Sequence, residues 1–265
     1  MTPIAVTIAG SDSGGGAGIQ ADLKTFSALG VYGASVITAL TAQNTKGVTG
    51  IHDVPADFVA AQIDAVFSDL AVRAVKIGML SQPAVIEAVG AGLDRWRQSQ
   101  VVLDPVMVAT SGDRLLNPDA IDVLKRVLIP RVLVITPNLP EAAALLDTQL
   151  ARDEDEMRAQ AVCLVERGAR AVLIKGGHGD GAESVDILLA PGSFTRLAAT
   201  RVATGNTHGT GCTLSSAIAA GLAKGLDLVA AAREAKAYVS AAIAASQRLQ
   251  IGRGHGPVHH FHVWW

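Results

Sequence analysis

A cysteine preceded by two glycines is the first group in this sequence that could do chemistry. The segment Asn206-Thr207-His208-Gly209-Thr210-Gly211-Cys212-Thr213 runs into an alanine-rich pattern that predicts a helix over residues 212–224. The free N–H groups and the dipole at a helix start attract anions and can lower the pKa of a thiol. A small cysteine that is simply buried at a helix start would give the same pattern. Because the glycines immediately precede Cys212, we favour an anion hole beside an activated side chain.

A second candidate is the loop Gly10-Ser11-Asp12-Ser13-Gly14-Gly15-Gly16-Ala17-Gly18, which contains five glycines. Glycine has no Cβ, so such a backbone can approach a ligand closely. The loop contains neither Gly-x-Gly-x-x-Gly nor Gly-x-x-x-x-Gly-Lys-Ser/Thr, so it does not match the common nucleotide-binding patterns. The loop is equally well interpreted as a flexible turn between a strand and a helix or as a ligand-binding loop.

Polar side chains also follow several short apolar segments. Asp104 stands before Pro105, where it could hold a cation or a substrate hydroxyl, and Lys175 stands before two glycines, where it could reach a phosphate. Asn138 could be a helix N-cap, and Glu141 in a first helical turn complements the helix dipole. The functional alternative for Glu141 is that it orders Mg²⁺ through water near nucleotide phosphates. Each group alone favours a structural role, but four of them at consecutive strand ends favour a shared site.

The elements that must position these residues alternate along the chain. Strands are predicted over residues 4–9, 34–40, 74–77, 101–103, 132–135, 172–174, 185–190 and 194–198. Helices are predicted from the glycine-rich loop to Leu29, from the N-cap Asp57, from Pro83, from Asn117-Pro118, from Pro140, and over 154–167, 212–224 and 228–249. This alternation predicts a mostly parallel sheet with helices on both faces, in a single α/β domain over residues 1–265. Ligands of such folds bind beyond the carboxyl ends of the strands, where the polar groups fall.

Composition limits the class of protein. Hydrophobic residues make up 49% of the 265 residues and charged residues 17%, which excludes global disorder. The 22 lysines and arginines against 24 acidic residues give a net charge of -2, without the broad basic field that non-specific nucleic-acid binding needs. No stretch of about 18 uncharged apolar residues predicts a membrane span, and the start lacks a basic n-region. We therefore expect a soluble cytoplasmic protein that binds neither nucleic acid nor membrane.

Three further features carry little functional signal. The two cysteines do not make a disulfide framework, and Cys163 falls in a helical pattern that predicts a core position. The tail His255-Gly256-Pro257-Val258-His259-His260-Phe261-His262 is dense in histidine, but no cysteine or carboxylate stands nearby. Histidine spacing of this kind is weak support for a metal site.

Taken together, these motifs resemble the ribokinase-like superfamily and, within it, the hydroxymethylpyrimidine/phosphomethylpyrimidine kinases of thiamine biosynthesis. The resemblance spans nearly the whole chain in order. The segments that carry it are residues 8–26, Thr41-Ala42-Gln43-Asn44-Thr45, Lys76-Ile77-Gly78-Met79-Leu80, Thr136-Pro137-Asn138-Leu139-Pro140-Glu141-Ala142, Lys175-Gly176-Gly177-His178, residues 208–213 and the ending 256–262. It implies a ribokinase-like three-layer sandwich and an ATP- and Mg²⁺-dependent kinase.

The resemblance implies two phosphorylations: of the hydroxymethyl group of 4-amino-5-hydroxymethyl-2-methylpyrimidine, and then of the monophosphate to the diphosphate. It assigns Gln43 to a hydrogen bond with the pyrimidine. The rest of that pocket would be Gly10, Asp22, Met79 and Val106. Members of the family are commonly homodimers.

The same resemblance assigns the phosphate end of the site. Lys175 and the turn from Thr136 to Asn138 would bind ATP, and Asp104 and Glu141 would lie near Mg²⁺. The anion hole would be formed by Gly209, Gly211 and the Cys212 amide, so that the catalytic set is Cys212, Gly209, Gly211 and Lys175.

One position departs from the wider superfamily. Sugar kinases of this fold carry an aspartate where this chain has Cys212. An aspartate deprotonates a hydroxyl directly, whereas a thiol must first ionise. The cysteine favours the pyrimidine and related vitamin kinases over the sugar kinases, and it leaves the strength of Cys212 as a base open.

Three other functions compete with this one. A pyridoxal or pyridoxine kinase, or a kinase with both specificities, would use the same fold, because pyridoxal also presents a hydroxymethyl group on a nitrogen heterocycle. A catalytically silent ligand-binding regulator is disfavoured by the presence of Asp22, Gln43, Lys175 and Cys212. A nicotinamide oxidoreductase is disfavoured because the dinucleotide fingerprint is missing.

Overall fold

The structure, a computed structural model, describes residues 1–107, 118–177 and 181–265. The strands within these ranges are β1 (Ile4–Asp12), β2 (Tyr32–Asn44), β3 (Gly47–Asp53), β4 (Ala74–Ile77), β5 (Val101–Leu103), β6 (Val134–Ile135), β7 (Val172–Lys175), β8 (Glu183–Ala190) and β9 (Ser193–Thr200). The helices are α1 (Gly18–Ala28), α2 (Ala56–Asp69), α3 (Pro83–Arg95), α4 (Pro118–Val127), α5 (Leu139–Leu146), α6 (Glu154–Glu166), α7 (Thr210–Ala223) and α8 (Leu228–Ala244).

In the described part of the chain, the strands form one nine-stranded sheet in the order β3-β2-β1-β4-β5-β6-β7-β8-β9. The pairs from β2 to β7 are parallel, and the outer pairs β2–β3, β7–β8 and β8–β9 are antiparallel. Parallel strands point their carboxyl ends to one edge of the sheet. The polar residues that follow β1, β4, β5, β6 and β7 are therefore brought to that edge.

The sheet is covered on both faces, because its central strands alternate side chains between two apolar clusters. In β5, Val101 and Leu103 join one cluster while Val102 joins the other. The first cluster packs against α2 to α6, and the second against α1, α7 and α8. This is a three-layer α/β sandwich, and the predicted fold class is confirmed.

The edge of the sheet next to β2 differs from the prediction. β1 continues to Asp12 and β2 to Asn44, and β3 was not predicted. The sequence of β3, Gly-Val-Thr-Gly-Ile-His-Asp, is mostly exposed and so has no alternation of apolar and polar residues. Antiparallel pairing with β3 is what extends β2 through its polar end, including Gln43.

Smaller boundaries also shift. Helix α2 begins at Ala56 with Pro55 as its N-cap, so the prediction of Asp57 as the cap is wrong. The strand predicted over 132–135 is only Val134–Ile135, because Ile129–Arg131 forms a turn of 3-10 helix just before it. The last predicted helix ends at Ala244, and Ala245–Arg248 continues it as 3-10 helix. Helix α4 begins at Pro118, and Asn117 lies outside the described residues.

Cys163 is exposed on α6, not buried in the core as predicted. Its neighbour Leu164 occupies the buried face of that helix. Across the described ranges, no helix is long and apolar enough to cross a membrane.

Candidate active site

A cavity of about 780 Å³ opens at the carboxyl edge of the parallel strands. The residues predicted for the site that line it are Gly10, Gln43, Met79, Asp104, Val106, Asn138, Glu141, Lys175, Gly209, Gly211 and Cys212. Asp22 and Thr136, also predicted, are not among its described lining residues. The cavity runs along the sheet from Gln43 on β2 to Asp186 on β8.

The start of α7 lies in the middle of this cavity. Gly209 is its N-cap, with a φ of 80°, a conformation that glycine adopts without strain. Gly211 lies directly beside the phosphate-end groups, because a Cβ on it would be 3.3 Å from Lys175 Nζ and 3.4 Å from Asp104 Oδ2. The first N–H groups of a helix have no partner within the helix. The start of α7 can therefore donate to an anion in the cavity.

Cys212 is the third residue of α7 and is partly buried. Burial raises the pKa of its thiol to about 11, the nearby carboxylates of Asp22 and Asp104 act in the same direction, and Lys76 opposes them. The expectation of a lowered pKa at this helix start is therefore wrong for the free protein, because desolvation outweighs the positive charges nearby. The thiol is neutral near pH 7.

Lys175, Asp104 and Glu141 form the charged centre of the phosphate end. Lys175 Nζ is 2.7 Å from Asp104 Oδ1 and 3.8 Å from Glu141 Oε2. Burial raises the pKa of Glu141 to about 7, although Lys175 opposes this rise. Burial also acts to raise the pKa of Asp104, but Lys175 and Lys76 outweigh it and hold that pKa below its ordinary value. The centre thus contains one firmly ionised carboxylate and one that exchanges its proton near neutral pH.

Asn138 and Glu141 cap helix α5 and also place a carboxylate at the cavity. Glu141 N–H donates to Asn138 Oδ1 at 2.8 Å, and Asn138 N–H donates to Glu141 Oε2 at 2.7 Å, which is a capping box. The simple N-cap role considered for Asn138 is confirmed. The box also holds the Glu141 carboxylate at the cavity, close to Lys175.

Thr136 supports Asp104 and lies away from the cavity. Its side chain is completely buried, and its hydroxyl donates to Asp104 Oδ1 at 3.2 Å. Ser215 Oγ donates to the other oxygen, Asp104 Oδ2, at 3.3 Å. Thr136 thus orients a carboxylate that faces the cavity, and the assignment of the turn from Thr136 to Asn138 to ATP stays a prediction.

The opposite end of the cavity is lined by Gly10, Gln43, Met79 and Val106. A Cβ on Gly10 would lie 3.1 Å from Met79 Sδ, so glycine at this position keeps space for the thioether. Gln43 Oε1 accepts from Thr41 Oγ1 at 3.0 Å. This end offers the Gln43 amide beside the apolar side chains of Met79 and Val106, a combination suited to a small heterocycle.

Asp12 and His208, which were not predicted as site residues, order this end. Asp12 accepts hydrogen bonds from the amides of Gly14, Gly16 and Ala17 at 2.8, 3.0 and 2.8 Å. His208 Nε2 is 2.8 Å from Asp12 Oδ2. The glycine-rich loop is therefore organised around one carboxylate. An aspartate at the start of a glycine run is the signal that could have indicated this, because aspartate commonly accepts from amides just after it.

Asp22 is buried behind the cavity. Its carboxylate is fully inaccessible and bonded to Lys76 Nζ at 2.8 and 2.9 Å, so it lies behind the lining residues, and its assignment to the pyrimidine pocket stays a prediction. Lys76, which was not predicted, is the member of this pair that lines the cavity. A lysine inside the buried strand β4 was the available signal, since lysine is almost never buried without a partner.

The tail histidines have structural partners. His260 Nε2 is 3.0 Å from Thr213 Oγ1, and Arg248 is 3.3 Å from His259 Nε2. Within the described ranges, no group of three or more histidine, cysteine or carboxylate side chains is placed to hold a metal ion by itself. His178 and Gly179 of the predicted loop after β7 lie outside the described residues.

Comparison with known proteins gives consistent findings. The family model of phosphomethylpyrimidine kinase matches residues 12–259. The hydroxymethylpyrimidine/phosphomethylpyrimidine kinase of Rhizobium meliloti strain 1021 is 62% identical over 265 residues, covering 100% of this chain and 99% of that protein.

Two solved structures are also similar. The phosphomethylpyrimidine kinase of Clostridium difficile 630 has a TM-score of 0.80 and 46% identity, covering 91% of this chain and 99% of that one. The pyridoxal kinase of Staphylococcus aureus in complex with AMP-PCP and pyridoxal has a TM-score of 0.91 and 32% identity, covering 100% of this chain and 95% of that one.

Proposed function

We propose, for a chain that belongs to the phosphomethylpyrimidine kinase family, that it uses ATP to phosphorylate 4-amino-5-hydroxymethyl-2-methylpyrimidine and then the resulting monophosphate. The predicted kinase class is confirmed by this membership. The observation that carries the proposal is the cavity itself. It joins an end built for a small heterocycle to a charged centre, with the start of α7 between them.

The two substrates would occupy different parts of the cavity. The pyrimidine would lie against Gln43 and Met79, with its hydroxymethyl group directed to Cys212. ATP would extend from Lys175 toward β8, where Val202, Val239 and Ile243 provide apolar lining for its base. The complex of a similar kinase with AMP-PCP and pyridoxal supports the simultaneous presence of two substrates.

The first transfer needs a base because its acceptor is an alcohol. The ionised thiol of Cys212 would take the hydroxyl proton while the acceptor oxygen bonds to the γ-phosphorus. The bond from that phosphorus to the bridging oxygen breaks, and its electron pair leaves with ADP. The amides of Gly211 and Cys212 and the ammonium of Lys175 would stabilise the charge on the transferred group.

The second transfer has a different acceptor. One oxygen of the pyrimidine monophosphate already carries a negative charge near pH 7, so it can attack without losing a proton to Cys212. The anion hole and Lys175 would be needed in both transfers. The two steps should therefore depend equally on the phosphate end and unequally on Cys212.

The residues present fit Mg²⁺ bound together with a nucleotide. Asp104 and Glu141 provide two carboxylates, and Mg²⁺ is commonly held by one or two carboxylates, several waters and substrate phosphates. Lys175 already neutralises part of their charge, so the ion would enter with ATP. Bound there, Mg²⁺ would supply charge neutralisation to the phosphates.

A second candidate activity is phosphorylation of pyridoxal. The specific observation that favours it is the TM-score of 0.91 to the pyridoxal complex of the S. aureus kinase. The closer identity, 62%, to a pyrimidine kinase makes the pyrimidine the preferred acceptor in our proposal.

The experiment measures ADP release by the purified protein with Mg-ATP and one acceptor at a time: hydroxymethylpyrimidine, its monophosphate or pyridoxal. We expect turnover with both pyrimidines, and a loss of roughly 10²-fold or more for both in Lys175→Met. Lys224→Met, at an exposed lysine that ends α7, is the matched control and should keep full activity. Turnover of pyridoxal alone would contradict the pyrimidine assignment.

We also propose a cytoplasmic homodimer. The edge hairpin β2–β3 exposes Leu40 and Ile51, with exposed fractions of 47% and 41%. The register pairs Leu40 with His52 and Ile51 with Thr41, so the two apolar side chains lie on opposite faces of the hairpin. Exposed apolar side chains at the edge of a sheet favour association with a second copy. Sedimentation equilibrium should give twice the chain mass of 27.2 kDa, and a Leu40→Glu, Ile51→Lys variant should give the chain mass.

A further inference from the structure

Lys76 is a charged side chain in the middle of a buried parallel strand. It belongs to β4, its neighbours Val75 and Ile77 are core residues, and its exposed fraction is 0%. Burying an ammonium is costly unless a partner compensates the charge. Asp22 is that partner, and Lys76 also lines the active-site cavity.

Asp22 holds that charge in place. Its two oxygens accept from Lys76 Nζ at 2.9 and 2.8 Å, from Thr7 Oγ1 at 2.6 Å and from Ser216 Oγ at 2.7 Å. A carboxylate has about four acceptor positions, so these bonds occupy all of them. Asp22 therefore ties together β1, β4 and α7, and it has no position left for a substrate.

The pair lies next to Cys212. Ser216, which donates to Asp22, is one turn after Cys212 on α7, and residues four apart share a helix face. Lys76 and Cys212 line the same cavity. Glycine at position 78 leaves room for the ammonium, since a Cβ there would lie 2.8 Å from Lys76 Nζ, and the two bonds to Asp22 hold the ammonium in that space.

The charges that act on Cys212 come from four elements. Lys76 on β4 favours the ionised thiol, and Lys175 on β7 also interacts with it. Asp22 on α1 and Asp104 after β5 disfavour ionisation. Among these, Lys76 is the foremost influence that lowers the pKa of Cys212 against the effect of burial.

We propose that Lys76 and Asp22 are positioning residues that set the ionisation of Cys212: Lys76 supplies a fixed positive charge that favours the thiolate, and Asp22 holds that ammonium in place while its own negative charge opposes the thiolate. Asp22 acts through Lys76 and has no free acceptor position for a substrate. This proposal rests on the proposed function, in which the Cys212 thiolate takes the hydroxyl proton of the first acceptor.

The proposal gives the two partners opposite effects on the thiol. Asp22→Asn keeps the size of the side chain and removes the carboxylate that pairs with Lys76. The Cys212 thiolate then becomes the counter-charge for the buried ammonium, so the thiolate is favoured. Adding Lys76→Met to Asp22→Asn then removes only the positive charge, so the thiolate is disfavoured. A purely structural role predicts instead that both changes disturb the thiol in the same direction.

The test is the rate at which iodoacetamide alkylates Cys212, measured against pH in a Cys163→Ser background. The pH dependence reports ionisation separately from access, because access changes the limiting rate of the thiolate and not its pKa. At about pH 8.5 we expect D22N to be alkylated faster than the parent. We expect D22N/K76M to be alkylated roughly tenfold or more slowly than D22N.

D186N/K236M is the matched control, because it removes the other buried lysine–aspartate pair of the cavity wall, which is 2.8 Å apart, and leaves no buried charge unpaired. Its alkylation rate should stay near that of the parent. Equal rates in D22N and D22N/K76M would overturn the proposal, as would a change of the same sign on each substitution. Circular dichroism verifies that each variant is folded, and the double variant contains no unpaired buried charge.

Turnover provides the second measurement. Relative to D22N, D22N/K76M should lose kcat/KM for the hydroxymethyl acceptor by a larger factor than for the monophosphate. Equal losses would contradict the link to the first transfer. Because alkylation needs no substrate, the thiol measurement remains decisive even if neither pyrimidine is phosphorylated, and the two proposals therefore fail separately.

Discussion

At the level of single residues, the site combines a neutral thiol with permanently charged neighbours. Burial keeps the pKa of Cys212 at about 11, whereas Lys175 and Asp104 remain ionised as a pair 2.7 Å apart. Near pH 7, ionising the Cys212 thiol so that it can act as a base costs free energy. Only the alcohol acceptor of the first transfer needs that base, because the phosphate acceptor of the second transfer is already ionised.

Cys212→Ser should therefore impair the first phosphorylation far more than the second. A serine hydroxyl has almost no ionised form near pH 7, and general-base catalysis typically contributes about 10²- to 10⁴-fold. We expect the loss of kcat/KM for hydroxymethylpyrimidine to approach that range and the loss for the monophosphate to stay within about tenfold. The measurement is steady-state kinetics with each acceptor separately.

The matched control is Cys163→Ser, at the exposed cysteine of α6, which should change neither value. Equal losses for both acceptors in Cys212→Ser would show that the thiol does not act as a base. Cys212 would then contribute only through its backbone amide in the anion hole.

At the level of elements, the capping box of α5 links helix stability to the charged centre. Asn138→Ala removes the acceptor for the Glu141 amide, and loss of such a cap costs about 1 kcal/mol of the free energy of unfolding. Because the box also orients the Glu141 carboxylate, kcat/KM should fall as well. Urea denaturation and steady-state kinetics measure the two effects.

Asp227→Ala is the comparison, since Asp227 caps α8 by accepting from the Ala230 amide at 2.8 Å. It should lose a similar free energy of unfolding and keep kcat/KM. If Asn138→Ala had the same kcat/KM as Asp227→Ala, the capping box of α5 would stabilise the helix without contributing to catalysis.

The sequence predicted the buried elements better than the exposed ones. β4 and β5 have the predicted bounds because short, mostly apolar runs bounded by polar or turn residues leave little choice, even though β4 contains Lys76. β3 was missed because an exposed edge strand needs no apolar alternation. Cys163 was misplaced because a helix that carries apolar residues in succession does not show which of them faces the core.

The sequence indicated the part of the candidate site whose residues follow strands of the parallel sheet. It did not indicate contacts that depend on packing between segments far apart in the sequence. The topology of a parallel sheet brings Asp104, Glu141 and Lys175 together, and this follows from the pattern of strands. The pair of Asp22 and Lys76 joins α1 to β4, which no local pattern specifies. The sequence therefore indicated Asp22 for the pocket and did not indicate Lys76, which is the member of the pair that lines the cavity.

At the level of the whole molecule, the C-terminal tail contributes a buried histidine. Burial lowers the pKa of His260 from 6.5 to about 3, with neighbouring positive charges acting in the same direction. The unfolded chain therefore binds a proton below about pH 6.5 that the folded chain does not. His260 contributes fully to stability above that pH, and its contribution is lost as the pH falls toward 3.

His260→Gln should flatten the acid dependence of the free energy of unfolding, since glutamine does not titrate. The difference in slope between parent and variant should approach about 1.4 kcal/mol per pH unit below pH 6. Urea denaturation across this range measures it. His255→Gln, at an exposed histidine of the same tail, is the control, and an identical pH dependence in His260→Gln and the parent would contradict the account.

The most direct test of the central claim follows a single reaction that starts from hydroxymethylpyrimidine, Mg-ATP and the purified protein, observed by phosphorus NMR. We predict that the monophosphate signal rises first and then gives way to the diphosphate, with a second equivalent of ADP released. A reaction that stops at the monophosphate, or one that never begins while pyridoxal is phosphorylated, would contradict the claim that one cavity carries out both transfers.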